Sequence, residues 1–338
     1  MSIRTAFAAG LGLALAATAG TASAQSNVKL VLDWAIQGNH AVFSVPIEKG
    51  YFTKEGLAIQ MDRGFGSGDA AAKVASGAYD VGFADINTLV PFNAQNPDKK
   101  MVAFFMIFDE SLAAVIVGKD AKVAKPKDLE GKTLAAPEAD AGRLLFPAFA
   151  RATGIDVSKI AWKTVTPQLR ETMLLQKQAD GITGFVSTSV LNLKANGMGP
   201  DRLTVWRYND FGVPLYGSAL ITTWAYAEKY PNTIKAIARA TLKGMKDTFA
   251  DPKAAVATLK KFDNLMKEDL ELDRLALVRD AVMLTKNVKE KGISEVDMAR
   301  IDKALAVVSE AYKVPAGKVT AKDVWSPAWL PPLADRKL

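Results

Sequence analysis

One short pattern occurs twice in this chain, and it restricts the fold more than any bulk property. Asp80-Val81-Gly82-Phe83-Ala84-Asp85 has a near-echo in Asp180-Gly181-Ile182-Thr183-Gly184-Phe185. Each copy follows a helical stretch that ends in a short polar turn, Ser76-Gly77-Ala78-Tyr79 in the first case and Gln176-Lys177-Gln178-Ala179 in the second. Each of those helices follows a short strand and a turn, at 59–68 and 160–167. A strand–helix–strand unit used twice predicts two similar α/β lobes. Two facing lobes leave a cleft, and clefts of this kind hold small ligands.

The N-terminus stands apart. Arg4 is the only charge in residues 1–24, residues 8–17 are small or apolar, and Ala22-Ser23-Ala24 fits a small-x-small cleavage site before Gln25. This reads as a secretory signal peptide, cleaved after Ala24 and too short for a membrane span. The mature protein is expected to be soluble and periplasmic. The chain has no cysteine, which excludes disulfides, thiolate metal ligands, a cysteine nucleophile and a lipid-anchor cysteine. An exported chain of this length without disulfides depends on its core, and is expected to split into two domains. Lys and Arg outnumber Asp and Glu by 43 to 36, but the excess is scattered and its densest runs are broken by acids. No basic stripe with interleaved aromatics occurs, so no nucleic-acid partner is expected.

Apolar runs at 28–33, 58–63, 80–84, 101–107 and 113–117 read as strands, with helices between most of them. The pattern resumes with strands at 132–136, 160–165, 181–185, 203–206 and 215–222. Alternating strands and helices predict mainly parallel sheets. Residues 223–313 then read as helices only. The expected division is a first lobe over 25–117, a second over 118–213, and a return to the first lobe with C-terminal helices over 214–338. Two crossings make a hinge, because a pair of short strands can absorb the φ/ψ change of closure.

Catalytic signatures are missing. His40 is the single histidine, and Gly66-Ser67-Gly68 lacks the flanking apolar pattern of a nucleophile elbow. The carboxylates show no calcium-loop spacing, and the glycine-rich loop fits neither phosphate-binding pattern. No catalytic residue, metal or cofactor is expected. In open parallel sheets, ligands sit beyond the carboxyl ends of strands. Those ends carry Asp33-Trp34, Phe65-Gly66-Ser67, Asp85-Ile86-Asn87, Glu138-Ala139-Asp140 and Phe185-Val186-Ser187. Trp34, Phe65 and Phe185 can sandwich a flat ring. Asp33, Asp85 and Glu138 can accept hydrogen bonds from ring amino groups or pair with a cation. His40, Gly66, Ser67, Asn87, Asp140 and Ser187 complete the candidate site, with Tyr208 and Tyr216 near the hinge. Asp33 and Asp85 can also cap the helices that follow them. The helix after Gly66 offers free amides to an anion, although Asp69 opposes one. Arg143 can pair with a ligand carboxylate, or with Glu138 or Asp140.

The run from Leu32-Asp33-Trp34 through His40 to Glu48-Lys49-Gly50-Tyr51-Phe52 and Glu55-Gly56-Leu57 resembles the opening of a group of ABC-importer substrate-binding proteins. The group is the thiamine-pyrimidine-precursor and alkanesulfonate family, which also holds taurine- and nitrate-type binders. Gly66-Ser67-Gly68, Ser76 to Ala84, Pro126-Lys127-Asp128-Leu129-Glu130-Gly131-Lys132 and Gly181 to Phe185 continue the likeness. The resemblance implies an α/β fold of two lobes, the type II periplasmic-binding-protein fold with two crossovers. It implies a monomer that catches its ligand by lobe closure and delivers it to an inner-membrane permease with a cytoplasmic ATPase. The ligand class it implies is a flat nitrogen heterocycle of the thiamine-pyrimidine kind. A small organic anion such as a sulfonate, nitrate or an aromatic carboxylate is the alternative. The pyrimidine branch typically reads Asp-Trp-x-Pro-Asn before its histidine, and Ile36-Gln37 stands here in place of Pro-Asn. An exported enzyme of thiamine-precursor metabolism is the alternative of another class. The fungal synthases of the group use a cysteine-rich iron site, which a chain without cysteine lacks.

Overall fold

Among the described residues, ten strands divide into two five-stranded sheets. The computed structural model describes residues 25–338, so the leader expected over 1–24 lies outside the described residues. The first sheet holds β1 (Ser26–Val31), β2 (Leu57–Asp62), β3 (Val81–Asp85), β4 (Met101–Met106) and β10 (Ser218–Thr223), in the order β2-β1-β3-β10-β4. The second holds β5 (Ala113–Gly118), β6 (Thr133–Ala136), β7 (Ala161–Thr164), β8 (Gly181–Phe185) and β9 (Leu203–Arg207), in the order β7-β6-β8-β5-β9. β1 runs parallel to β2 and β3, and β6 runs parallel to β7 and β8. The strand that enters each sheet straight after a crossing, β10 or β5, is antiparallel to both of its neighbours. The two lobes thus share one plan.

The echoed sequence sits in equivalent places. Asp80 accepts the Lys29 N–H of β1 at 2.8 Å, and Asp180 accepts the Thr133 N–H of β6 at 2.8 Å. Each aspartate ties the start of its own strand to its parallel neighbour, within β1 at Lys29 and at the first residue of β6 at Thr133, and so satisfies a main-chain donor beside the paired residues. That local role accounts for the repeat.

The first crossing lies earlier than the expected boundary at 117/118. β5 pairs with β8 and β9, so the chain leaves the first lobe through 107–112. The reason is long-range: β5 is buried along its whole length, and its antiparallel partners supply both its edges. The return passes through 208–217. The two crossings are hydrogen-bonded to each other, Gly217 N–H to Phe108 O at 3.0 Å and Ser111 N–H to Leu215 O at 3.2 Å.

Apolar burial fixes both sheets. β4 and β5 are wholly buried, as expected of strands covered on both faces. Phe83 meets Phe43 and Phe108 edge-on, at 5.1 and 5.4 Å between ring centres. The C-terminal part returns to the first lobe, where the Pro231–Ala250 helix packs along Ala41–Glu48. Two later helices also reach the second lobe. Met298–Ala311 lies against Ala141–Thr153, and Glu268–Val278 lies against Val186–Ala195. Among the described residues, no helix is long and apolar enough to cross a membrane.

Candidate functional site

The carboxyl ends of five strands converge on a cavity between the lobes, with about 380 Å³ of empty space, part of it open to solvent. Asp33 and Trp34 follow β1, Gly66 and Ser67 follow β2, and Asp140 follows β6. Arg170 follows β7, while Phe185, Ser187 and Thr188 come from the end of β8. Gln37, Asn39 and His40 complete the wall from the turn that leads into Ala41–Glu48.

Asp33 is held from behind. The Gln37 N–H donates to His40 Nδ1 at 3.1 Å, which leaves the ring proton on Nε2. Nε2 lies 3.2 Å from Asp33 Oδ1, so a neutral imidazole donates to the carboxylate. Ser218 Oγ stands 3.5 Å from the other oxygen. Asp33 therefore keeps acceptor capacity beside the cavity, in an orientation fixed by the histidine. Trp34 is half-buried next to it.

The second lobe contributes a charge cluster. Arg170 is 1% exposed and donates to Asp140 Oδ2 at 3.0 Å and to Glu171 Oε1 at 2.9 and 2.7 Å. Burial works against its charge, but Glu171 and Asp140 outweigh that and hold the guanidinium above its usual value. Asp140 caps the Ala141–Thr153 helix through the Arg143 N–H at 3.1 Å. Burial pushes Asp140 up to about 6, with the Arg170 charge pulling the other way.

Several contacts join the lobes around this cavity. The Arg170 guanidinium lies over the Trp34 ring at 4.6 Å. Thr188 Oγ1 donates to Gln37 Oε1 at 2.9 Å. Gly68 N–H donates to Ala139 O at 3.0 Å. Gly66 has φ 136° and touches the other lobe so closely that an added Cβ would stand 2.2 Å from Ala139 O, so glycine is required there.

Asp33, Trp34, His40, Gly66, Ser67, Asp140, Phe185 and Ser187 all line the cavity. Other expected residues lie elsewhere. Phe65 is 43% exposed and faces solvent, with Arg63 and Lys73 over its ring at 4.8 and 5.0 Å. Glu138 is exposed. Asp85 is fully buried at the hinge, where it accepts from Asn87 N–H at 3.0 Å, Asn87 Nδ2 at 2.7 Å and Ser111 Oγ at 2.8 Å. Asn87 also donates to Tyr216 O at 2.6 Å, so its amide is fixed between β3 and the return crossing. Tyr208 is buried, stacks on Phe149 at 4.7 Å and donates to Gly142 O at 2.7 Å. Tyr216 Oη accepts the Asp297 N–H at 2.9 Å, and Arg300 lies over its ring at 4.0 Å. The Arg143 guanidinium pairs with neither Glu138 nor Asp140, donating instead to Ala136 O at 3.1 Å and Thr164 Oγ1 at 2.8 Å.

The sequence reading missed Gln37, Asn39, Ala141, Arg170 and Thr188. For Arg170 a signal was present. It stands just past β7, a strand end that received no candidate, and the adjacent Arg170-Glu171 pair opens a helix behind Pro167.

A family model described as NMT1/THI5 like matches residues 37–255. The chain belongs to the NMT1/THI5-like family. The formylaminopyrimidine-binding protein of Halalkalibacterium halodurans is 26% identical over 244 residues, 72% of each protein. Among solved structures, a protein from Bordetella bronchiseptica RB50 superposes with a TM-score of 0.73 at 16% identity, covering 90% of this chain and 96% of that one. The periplasmic aliphatic sulphonate binding protein SsuA from Escherichia coli gives 0.67 at 15% identity, covering 89% and 92%. This NMT1/THI5-like protein has the two-lobed α/β fold of type II periplasmic binding proteins.

Proposed function

We propose that this protein is the exported solute-binding component of an ABC importer, and that it captures a small flat nitrogen heterocycle of the aminopyrimidine class. The ligand is held between the lobes and passed to an inner-membrane permease. Only the closed state lets both lobes touch the ligand, so binding shifts the population toward closure.

The observation that carries the ligand class is the charge balance of the cavity. Asp33 and Asp140 line it, and its one guanidinium is already paired with Asp140 and Glu171. Such a wall favours amino-group donors and disfavours a bare anion, which would be buried against like charge. Trp34 and Phe185 supply aromatic area on the same wall. In this reading Asp33, oriented by His40, accepts from the exocyclic amino group. The relative's name, a formylaminopyrimidine-binding protein, points the same way and toward binding rather than catalysis.

A small organic anion is the second reading, and one feature favours it. The Val186–Ala195 helix starts without a side-chain cap, and Ser187 and Thr188 of its first turn line the cavity. Helix N-termini attract anions. A thermal-shift screen over aminopyrimidines, alkanesulfonates, nitrate and aromatic carboxylates separates the two, because a ligand that binds only the folded state raises the melting temperature. Stabilisation by aminopyrimidines alone is expected. Stabilisation by sulfonates or nitrate alone would replace the first reading with the second.

A further inference from the structure

Behind the cavity, a buried pair on a C-terminal helix touches both of the turns that line it. Arg274 and Glu271 belong to Glu268–Val278 and are 1% and 6% exposed. Glu271 Oε2 accepts the Gly38 N–H at 2.6 Å, within the turn that carries Gln37 and His40. Gly38 is pressed so close that an added Cβ would stand 1.9 Å from Glu271 O. Arg274 donates to Glu271 through Nε at 2.8 Å and Nη2 at 3.3 Å. Its other donors cross to the second lobe. Nη1 reaches Ser187 O and, at 3.4 Å, Thr188 O, while Nη2 reaches Asn192 Oδ1 at 3.0 Å. All five N–H donors of the guanidinium thus have an acceptor, and three of those acceptors lie in the other lobe.

We infer that Arg274 is an interlobe latch, a positioning residue that holds the lobes closed independently of ligand, with Glu271 as its anchor in the first lobe. The anchor is intact in either state, since Glu271, Gly38 and Arg274 move together. Opening removes only the bonds to Ser187, Thr188 and Asn192. Charge-assisted bonds of this kind each add a sizeable bias toward closure, and the planar fork is what lets one side chain make three at once. The inference goes beyond the proposed ligand class and does not depend on it.

The test uses dipolar EPR on the ligand-free protein. The chain has no cysteine, so Gln60→Cys and Lys163→Cys give one spin label per lobe on exposed positions. The expected distance distribution contains a short, closed component. Asn192→Ala, which leaves the buried ion pair intact, should reduce it several-fold, and Arg274→Met should lower the closed-to-open ratio about tenfold or more. Arg274→Lys should restore part of it. A merely structural role would lower the melting temperature without moving the distances. A ligand-free protein with no closed component, or closed components equal in the parent and Asn192→Ala proteins, would overturn the latch.

Discussion

β3 and β8 begin alike and end differently, and that difference separates the hinge from the site. Both carry an aspartate before the strand that accepts a main-chain N–H from the parallel neighbour. β3 then ends in Asp85, sealed against Asn87 and Ser111 where the two crossings meet. β8 ends in Phe185, half-buried on the cavity wall, with Ser187 and Thr188 beyond it. The same supersecondary unit therefore supplies a polar knot between the two crossings in one lobe and a cavity wall in the other. Strand-end position selects candidates, and the side chain's partners decide between the roles.

Four perturbations sharpen this contrast. The largest effect is expected behind β8, where Arg170 rests against Gly184. Arg170→Met leaves Asp140 and Glu171 buried without their cation and should cost about 3–5 kcal/mol in urea unfolding. A loss below about 1 kcal/mol would mean that the cluster is solvated.

Asp85 comes next. Burial pushes it up to about 6 from an ordinary 3.8, against the pull of Asn87 and Ser111. The folded protein therefore binds this proton more tightly than the unfolded chain. Its contribution to stability is full below the unfolded value and disappears as pH rises through about 6. Asp85→Asn should thus gain stability relative to the parent between pH 4 and pH 8, by at most roughly 3 kcal/mol, and leave ligand affinity unchanged. A difference in unfolding free energy that is flat with pH would show Asp85 to be ionised without penalty.

Phe185→Ala should behave in the opposite way, weakening aminopyrimidine binding by roughly tenfold in calorimetry with a small effect on the pH profile of stability. Phe65→Ala is the smallest change. Its ring lies outside the cavity, so affinity should stay within about twofold, and surface substitutions of this kind move stability by only about 0.5 kcal/mol. A larger loss at Phe65 than at Phe185 would reverse the assignment of the two rings.

Much of this molecule was legible from its residues because the deciding interactions are local. The echo at Asp80 and Asp180 reports a strand-start bond repeated in each lobe. The strand-end rule found Asp33, Trp34, Gly66 and Phe185 because chain direction alone brings those positions to the cleft. Other features depend on pairings distant in sequence. β5 joins the second sheet through β8 and β9, which its own apolar run does not announce. Phe65 sits beside Gly66 but on the outer side of the same loop, where two cations cover it. Arg170 becomes a site residue only when the other lobe brings Trp34 over it. Asp85 looked like a ligand acceptor, yet Asn87 two positions on and Ser111 from the crossing use its oxygens.

Titration calorimetry with a methyl-substituted aminopyrimidine, on the parent protein and on Asp33→Asn, tests the central claim most directly. Saturable one-site binding is expected, weakened about 10- to 100-fold by the loss of the carboxylate. Equal affinity in the two proteins, or tighter binding of an alkanesulfonate than of the aminopyrimidine by the parent, would contradict the account.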